Sequence, residues 1–339
     1  MEQRKFAEGS AINSQHGNLV TVVIVSWNSG PHLKRCLTSL AAQTYSKFST
    51  VLIDNNSEQF DPQDYAPLLA NLTIVRLVSN TGFAKANNLG IKEYGASKWV
   101  SLLNPDAFPE PDWLEKLLAV AENRTDYTFF GCHMLQDSDT LRIDGTGDIY
   151  HVSGLVWRRQ HGHLASNQNN VEADEIFSPC AAAALYRRDA LIETNGFDED
   201  FFCYIEDADL GFRLQLLGHK ALYVPEAVVR HVGSATTIRG SDFSVYHGHR
   251  NLVWTYVKNM PSVLFWLCLP AHIALNFAAV IWFSLNGQAR VIWRAKYDAL
   301  KELPIVWKKR RVIQATRRAQ VMQIWRMLSK KILAGNRFQ

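Results

Sequence analysis

"VTVVIVSWNSGPHLKRCLTSLA", Val20 to Ala41, decides the fold. Its first seven residues form a continuous apolar, β-branched run, the composition of a strand buried on both faces. After Trp27-Asn28-Ser29-Gly30-Pro31 the period changes, and Leu33, Leu37, Leu40 and Ala41 fall on one face of a helix. Strand, polar turn and helix are therefore the opening unit. The pattern continues through "TVLID" (Thr50 to Asp54), "TIVRLV" (Thr73 to Val78), a helix from about Ala84 to Tyr94, and "WVSLLN" (Trp99 to Asn104). Strands alternating with helices at this spacing predict an α/β domain with a doubly wound, mostly parallel sheet. In such sheets ligands bind beyond the carboxyl ends of the strands.

Those ends read Ser26-Trp27-Asn28, Asp54-Asn55-Asn56-Ser57, Asn80-Thr81-Gly82 and Asn104-Pro105-Asp106. Each is also ordinary turn chemistry, but four polar ends in succession predict a binding edge. No G-x-G-x-x-G follows the first strand and no G-x-x-x-x-G-K-[ST] occurs, which removes the main support for dinucleotide and P-loop readings. Thr128 to Ile176 is irregular. A small-residue strand follows near Ala181 to Tyr186, then a helix from about Arg188 to Asn195 stopped by Gly196. A second helix runs from about Asp207 to Leu217, ended by Gly218, and a strand leads into His231. "YIEDADL" sets Glu206, Asp207 and Asp209 at the start of that helix, where negative charge is favourable for its own sake. Asp209 is spaced to pair with Arg213.

The chain has 339 residues, 47% hydrophobic and 20% charged, enough for one large domain and an appendage. Its net charge of +4 conceals an asymmetry. From Asn286 onward 14 Lys/Arg face only Asp298 and Glu302, a balance of +12, while the preceding part carries −8. Next to this basic tail, Ser262 to Leu285 runs 24 residues without one Asp, Glu, Lys or Arg. It is long enough to span a bilayer, yet Pro270, His272 and Asn276 interrupt it. A broken, re-entrant or interfacial insertion is expected, with Trp293, Trp307 and Trp325 in the headgroup region. An anionic membrane surface, not nucleic acid, is the expected partner. The expected division is an N-terminal extension (1–18) without the apolar core of a signal peptide, a catalytic domain (19–260) and a membrane-association region (261–339). Cys36, Cys132, Cys180, Cys203 and Cys268 form no C-x-x-C pair, so neither a disulfide framework nor a zinc site is expected.

"VVIVSWNSGPHLKRCLTSLAAQT", "LIDNNS", "NTGFAKANNLGI", "LLNPDA", "GFDEDFFCYIEDADLGFRLQLLG" and "VVRHVGSAT" together resemble a family 2 glycosyltransferase of the GT-A fold. The "N-x-GFA-x-ANN" form looks like rhamnosyltransferase-type members that build bacterial surface glycans. The resemblance implies a nucleotide-sugar donor (dTDP- or UDP-sugar), a Mg²⁺ or Mn²⁺ cofactor and a lipid-linked glycan acceptor at the cytoplasmic face of the inner membrane. Asn104-Pro105-Asp106 stands where the family has Asp-x-Asp, so Asp106, with His231, is the implied metal ligand. Asp54 is implied to accept from a uracil or thymine N3–H, with Ser26, Asn28, Asn80, Gly82 and Asn104 around the nucleotide. Asp207 is the implied general base. Glu206 and Arg250 are candidates for acceptor or phosphate contact, although a solvated or membrane-facing Arg250 is the plainer reading. The processive Q-x-x-R-W signature is absent, so transfer of a single sugar with inversion is expected. Two rival readings stand beside it: a sugar-nucleotide pyrophosphorylase, and an inactive nucleotide-binding membrane scaffold.

Overall fold

A computed structural model describes residues 19–165, 172–233 and 240–331. Strand β1 (Val20–Ser26) is followed by α1 (Gly30–Ala41) and by β2 (Phe48–Asp54). Strand β3 (Leu72–Arg76) leads to α2 (Phe83–Leu89), which widens into a π turn over Gly90–Tyr94, and then to β4 (Trp99–Leu103). The four strands lie parallel in the order β3, β2, β1, β4, with Ser26 opposite Asp54 and Ile24 opposite Leu103.

Alternation along β1 explains the two layers. Val20, Val22 and Ile24 pack with Leu33, Cys36, Leu37 and Leu40 of α1 on one face, whereas Val23 packs with Ala84 and Ile91 on the other. Helix α1 has no side-chain cap at Ser29. Losing a cap costs about 1 kcal/mol, while each buried Leu returns roughly 1.5–3 kcal/mol, so the apolar face decides.

The second half of the sheet is mixed. A short strand β5 (Ala107–Pro109) and helix α3 (Trp113–Asn123) precede β6 (Phe129–Gln136) and β7 (Asp139–Gly145). The irregular stretch holds a small hairpin, β8 (Asp148–Tyr150) with β9 (Val156–Arg158), and a two-residue strand β10 (Glu175–Ile176). Strand β11 (Ala183–Arg187) enters antiparallel between β4 and β6, a departure from the parallel pattern. Its Ala183 and Ala184 are fully buried, and Ser101 Oγ donates to the Ala184 carbonyl at 3.1 Å. Helices α4 (Arg188–Glu193) and α5 (Glu206–Leu216) follow, then β12 (Ala221–His231), which lies parallel to β6 and brings His231 opposite Ala107 of β5.

Five helices complete the described chain: α6 (Asp242–Asn259), α7 (Ser262–Leu285), α8 (Ala289–Lys301), α9 (Leu303–Thr316) and α10 (Val321–Met327). They share a core with the sheet domain, where Tyr150, Phe177 and Phe212 meet Val253, Trp254, Leu264, Ala299 and Val306. Helix α7 is not broken at Pro270, contrary to expectation from the sequence. Proline forfeits one helical hydrogen bond, and the buried stripe of Leu264, Phe265, Cys268 and His272 outweighs that loss. The stripe is tied down by polar contacts: His272 Nδ1 lies 2.7 Å from the Ser153 carbonyl and its ring stacks 3.9 Å from Tyr256. Lys296 Nζ donates to Asn276 Oδ1 at 2.6 Å. Only 28% of α7's most apolar window is buried, so most of its surface remains open and apolar.

A buried ionic network joins α5 to α6 and α9. Asp209 is fully buried and accepts from Arg213 Nε at 2.8 Å, the expected i,i+4 pair, and from Asn259 Nδ2 at 2.7 Å. Lys258 reaches both Asp209, at 2.8 Å, and Asp198, which also pairs with Lys309.

Candidate functional site

The polar strand ends meet at one edge, and their side chains divide into those with unpaired atoms and those engaged in the turns. Ser26 and Asp54 sit opposite each other at the ends of β1 and β2, fully buried, and Ser26 Oγ and Asp54 Oδ1 have no hydrogen-bond partner among the described residues. Leaving a buried polar atom unpaired costs about 1–3 kcal/mol. Asp54 is held by its other oxygen, which accepts from the Ser57 amide at 3.2 Å and faces Arg76 Nε at 3.4 Å. The unpaired oxygens suit a ligand that both donates and accepts, as a pyrimidine base does.

Asn28 has a left-handed backbone (φ 52°) and its Oδ1 accepts from the amides of Glu58 and Gln59, so its side chain shapes the loop. Asn80 Oδ1 accepts from Asn55 Nδ2 and from the Gly82 amide, both at 2.9 Å. Asn55, which the sequence did not single out, also accepts from the Thr81 amide at 2.8 Å and thus fixes the whole Asn80-Thr81-Gly82 turn. Gly82 has φ 84°, and a Cβ there would lie 2.7 Å from the Phe202 carbonyl oxygen. Its contribution is close backbone approach. The Asn104 amide donates to the Ala182 carbonyl at 2.8 Å.

Asp106 follows β4 and meets His231, from the end of β12, with 3.4 Å between Oδ1 and Nε2. Both residues are buried. Among the described residues no set of three His, Cys, Asp or Glu side chains is arranged to hold a metal. Two atoms each about 2.0–2.2 Å from one cation would be roughly this far apart, so the pair fits one edge of a coordination shell that a diphosphate and water would complete.

Two residues from the irregular stretch support that pair, and sequence reasoning missed both. Asp144 Oδ2 lies 2.8 Å from His231 Nδ1, and Arg158 pairs with Asp144 and sits 3.5 Å from the same nitrogen. Burial would raise the Asp144 pKa, but the Arg158 charge and the His231 contact hold it well below the carboxylate range. Burial would lower His231, and its hydrogen bonds to Asp106 and Asp144 reverse this and raise it. A cation would therefore compete with a proton at Nε2. The available signal was "DGTGD", two carboxylates four residues apart with two glycines between them, but nothing local aims it at His231.

Asp207 opens α5. Its Oδ2 accepts from the Ala181 amide at 3.3 Å and its Oδ1 from the Ala208 amide at 2.8 Å. Ala181 and Ala182 thus hold Asp207 on one side and the Asn104-Pro105-Asp106 segment on the other. Glu206 is buried with Oε2 unpartnered among the described residues, and burial followed by the Asp207 charge pushes its pKa well above the carboxylate range. Asp148 is raised in the same way, by burial and then by Asp207. Both carboxyls are thereby shifted toward their protonated forms.

Arg250 is neither solvated nor membrane-facing. It is 9% exposed, lies 4.2 Å over the Trp254 ring, and donates through Nη2 to the carbonyls of Asp200 and Phe201, each at 3.1 Å. Its charge is used to hold the loop that leads into α5.

The family described as Glycosyl transferase family 2 matches residues 21–194. The N-acetylglucosaminyl-diphospho-decaprenol L-rhamnosyltransferase of Mycobacterium tuberculosis is 30% identical over 252 residues, covering 68% of this chain and 82% of that relative. Among solved structures, GalNAc-T7 with UDP, GalNAc and Mn²⁺ superposes with a TM-score of 0.58 at 18% identity over 72% of this chain. The chain spans about half the length of that protein, 48%. The mannosyltransferase PcManGT from Pyrobaculum calidifontis, in complex with GDP-Man and Mn²⁺, gives a TM-score of 0.53 at 19% identity, covering 92% of this chain and 88% of its own. These structural likenesses establish a GT-A-type fold, and the sequence match sets aside the pyrophosphorylase and inactive-scaffold readings. The chain belongs to glycosyltransferase family 2 and is a sugar-transferring enzyme.

Proposed function

We propose that the enzyme transfers a single L-rhamnose from dTDP-rhamnose to a lipid-linked glycan, inverting the anomeric centre, at the cytoplasmic face of a bacterial inner membrane. The observation that carries this reading is the two-residue bridge. The Ala181 N–H holds the Asp207 carboxylate and the Ala182 carbonyl holds the Asn104 amide, so a base and a leaving-group site share one piece of backbone. The sugar and acceptor are taken from the mycobacterial relative, whose name specifies rhamnose and a diphospho-decaprenol acceptor.

An acceptor hydroxyl has a pKa far above 7 and requires a base in reach as the new bond forms. Asp207 takes that proton while the hydroxyl oxygen bonds to the anomeric carbon and the bond to the nucleoside diphosphate breaks, a single displacement. Ser26 and Asp54 hold the base of the nucleotide by their unpaired oxygens. When bound, Mg²⁺ or Mn²⁺ held by Asp106 and His231 supplies positive charge against the departing diphosphate. Asp144 orients the His231 ring from behind, so Asp144→Asn weakens Mn²⁺ binding by about 10–100-fold, read by electron paramagnetic resonance titration of the protein without substrates. An unchanged affinity removes Asp144 from this role.

The membrane part rests on α7, α8 and α9. Trp266, Leu267 and Phe277 of α7 are more than 60% exposed. Trp293 and Tyr297 of α8 are exposed too, interleaved with exposed Arg290, Arg294 and Lys301. Because α7 is tied to the body along its buried stripe, a monotopic seat in an anionic leaflet fits better than a span.

The test uses phosphatidylglycerol vesicles carrying short-chain polyprenyl diphosphate N-acetylglucosamine, incubated with dTDP-rhamnose, UDP-glucose or GDP-mannose and Mg²⁺ or Mn²⁺. The expected result is sedimentation of the enzyme with the vesicles and a deoxyhexose mass added only from dTDP-rhamnose. Transfer of another sugar overturns the donor, and failure to sediment overturns the membrane seat.

A further inference from the structure

Three residues just ahead of Asp207 have left-handed backbones without being glycine: Phe202 (φ 63°), Tyr204 (φ 68°) and Ile205 (φ 67°). For a β-branched residue such as Ile205 this conformation is a genuine outlier. Strain of this kind costs about 1–3 kcal/mol per residue, persists only where surroundings over-determine it, and gathers at ligand clamps. Here the surroundings do so from two sides. Asn251 Nδ2 donates to the carbonyls of Phe201, Cys203 and Tyr204 at 3.1, 2.9 and 2.8 Å, beside the Arg250 contacts. From α2, the Phe83 amide donates to the Phe202 carbonyl at 2.7 Å.

The product of the strain is a collar of rings. Phe202 stacks on His247 with centroids 5.5 Å apart and 22° between planes, and Phe243 packs 4.5 Å from His247. Phe202 and Tyr204 each meet Phe243 edge-on or tilted, at 6.2 and 6.1 Å. Phe202, Tyr204 and His247 are only partly buried, and Phe243 is 38% exposed. Burial, with the nearby Arg250 charge, lowers the His247 pKa to about 4, so its ring is neutral near pH 7. Two rings come from the loop that delivers Asp207 and two from the first turns of α6.

We propose that this collar seats the sugar ring of the acceptor, the apolar C–H face of a pyranose lying on the aromatic rings while one of its hydroxyls reaches Asp207. A pyranose carries hydroxyls around its rim and polarised C–H groups on its faces, which match the negative face of an aromatic ring. Sugar-sized sites pair such apolar walls with a few convergent polar groups, here the carboxylate three residues after Tyr204. The inference rests on the reading of Asp207 as the base. The donor's sugar offers the same C–H chemistry, and Phe202 also packs against Gly82; the acceptor is chosen because two of the four rings ride on the loop that runs into Asp207.

The test compares Phe243→Leu, which keeps bulk and loses the π face, with Phe243→Tyr, which keeps it. With dTDP-rhamnose saturating and short-chain polyprenyl diphosphate N-acetylglucosamine varied, Phe243→Leu raises the acceptor KM about five- to tenfold, the donor KM is unchanged, and Phe243→Tyr restores the acceptor KM. Saturation-transfer NMR on the same acceptor without donor shows ring-proton contacts in the unaltered enzyme that fade in Phe243→Leu. An unmoved acceptor KM, a shift in donor KM instead, or equal losses in Leu and Tyr overturn the proposal. If Asp207→Asn keeps full turnover while Phe243→Leu weakens acceptor binding, the base assignment falls and the seat stands.

Discussion

Asp207→Asn lowers the rate of sugar transfer by about 10²–10⁴-fold, the usual worth of a positioned base, with little change in the folded structure. The amide oxygen of Asn can still accept from one of the two backbone donors, Ala181 or Ala208, that hold the two carboxylate oxygens, and the other donor loses its partner to the NH2 group. What is lost is the capacity to take a proton from the acceptor hydroxyl. The neighbouring carboxyl does not substitute, because Glu206 is buried and held toward its protonated form. Single-turnover transfer with saturating donor and acceptor reads the chemical step, and a melting curve confirms that the fold is intact. Full turnover in this variant removes Asp207 from the role of base.

The largest effect on stability is expected at Asp209, which touches no proposed substrate. Asp209→Ala withdraws the carboxylate that faces Arg213, Lys258 and Asn259 at once, inside a region where Asp209 is fully buried and Lys258 is 1% exposed. Breaking a buried pair costs about 3–5 kcal/mol because the remaining charge is left without compensation. The lower end applies here, since Asp198 still faces Lys258 and the Thr194 and Gly196 carbonyls still accept from Arg213. A fall in Tm on the order of 10 °C follows at about 2–4 °C per kcal/mol. Asp209→Ala combined with Lys258→Met recovers part of it by removing a buried ammonium that keeps only Asp198 as its carboxylate partner. A single variant that melts with the unaltered protein would falsify the account of this network.

Both effects lie in "YIEDADL", and the second was legible there only in part. The Asp209 to Arg213 pair follows from helical spacing alone, whereas Lys258 and Asn259 reach Asp209 from another helix some fifty positions away. The same division runs through the molecule. Local patterns gave the parallel strands and the edge at Ser26 and Asp54, because continuous apolar runs and strand ends are properties of neighbours in sequence. Asp144 and Arg158 stayed invisible because hairpin-like strands of three to seven residues carry little period of their own, and their partner His231 closes a strand far downstream. Arg250 was misread for a related reason. A cation next to aromatics looks solvated in sequence, and only the folded loop shows carbonyls waiting for it. The strength of α7's anchorage likewise depends on Ser153 and Lys296, which lie outside its own apolar run.

The bridge of Ala181 and Ala182 has one further implication. Adjacent Cα atoms across a trans peptide are held about 3.8 Å apart by covalent geometry, and β11, which begins at the next residue, is hydrogen-bonded on both sides within the sheet. On the proposed assignment, the span between the group that takes the acceptor's proton and the segment that meets the leaving diphosphate is therefore gauged by a single peptide unit. Neither end can be retuned alone: a substitution that shifts this dipeptide changes nucleophile activation and leaving-group departure in the same stroke.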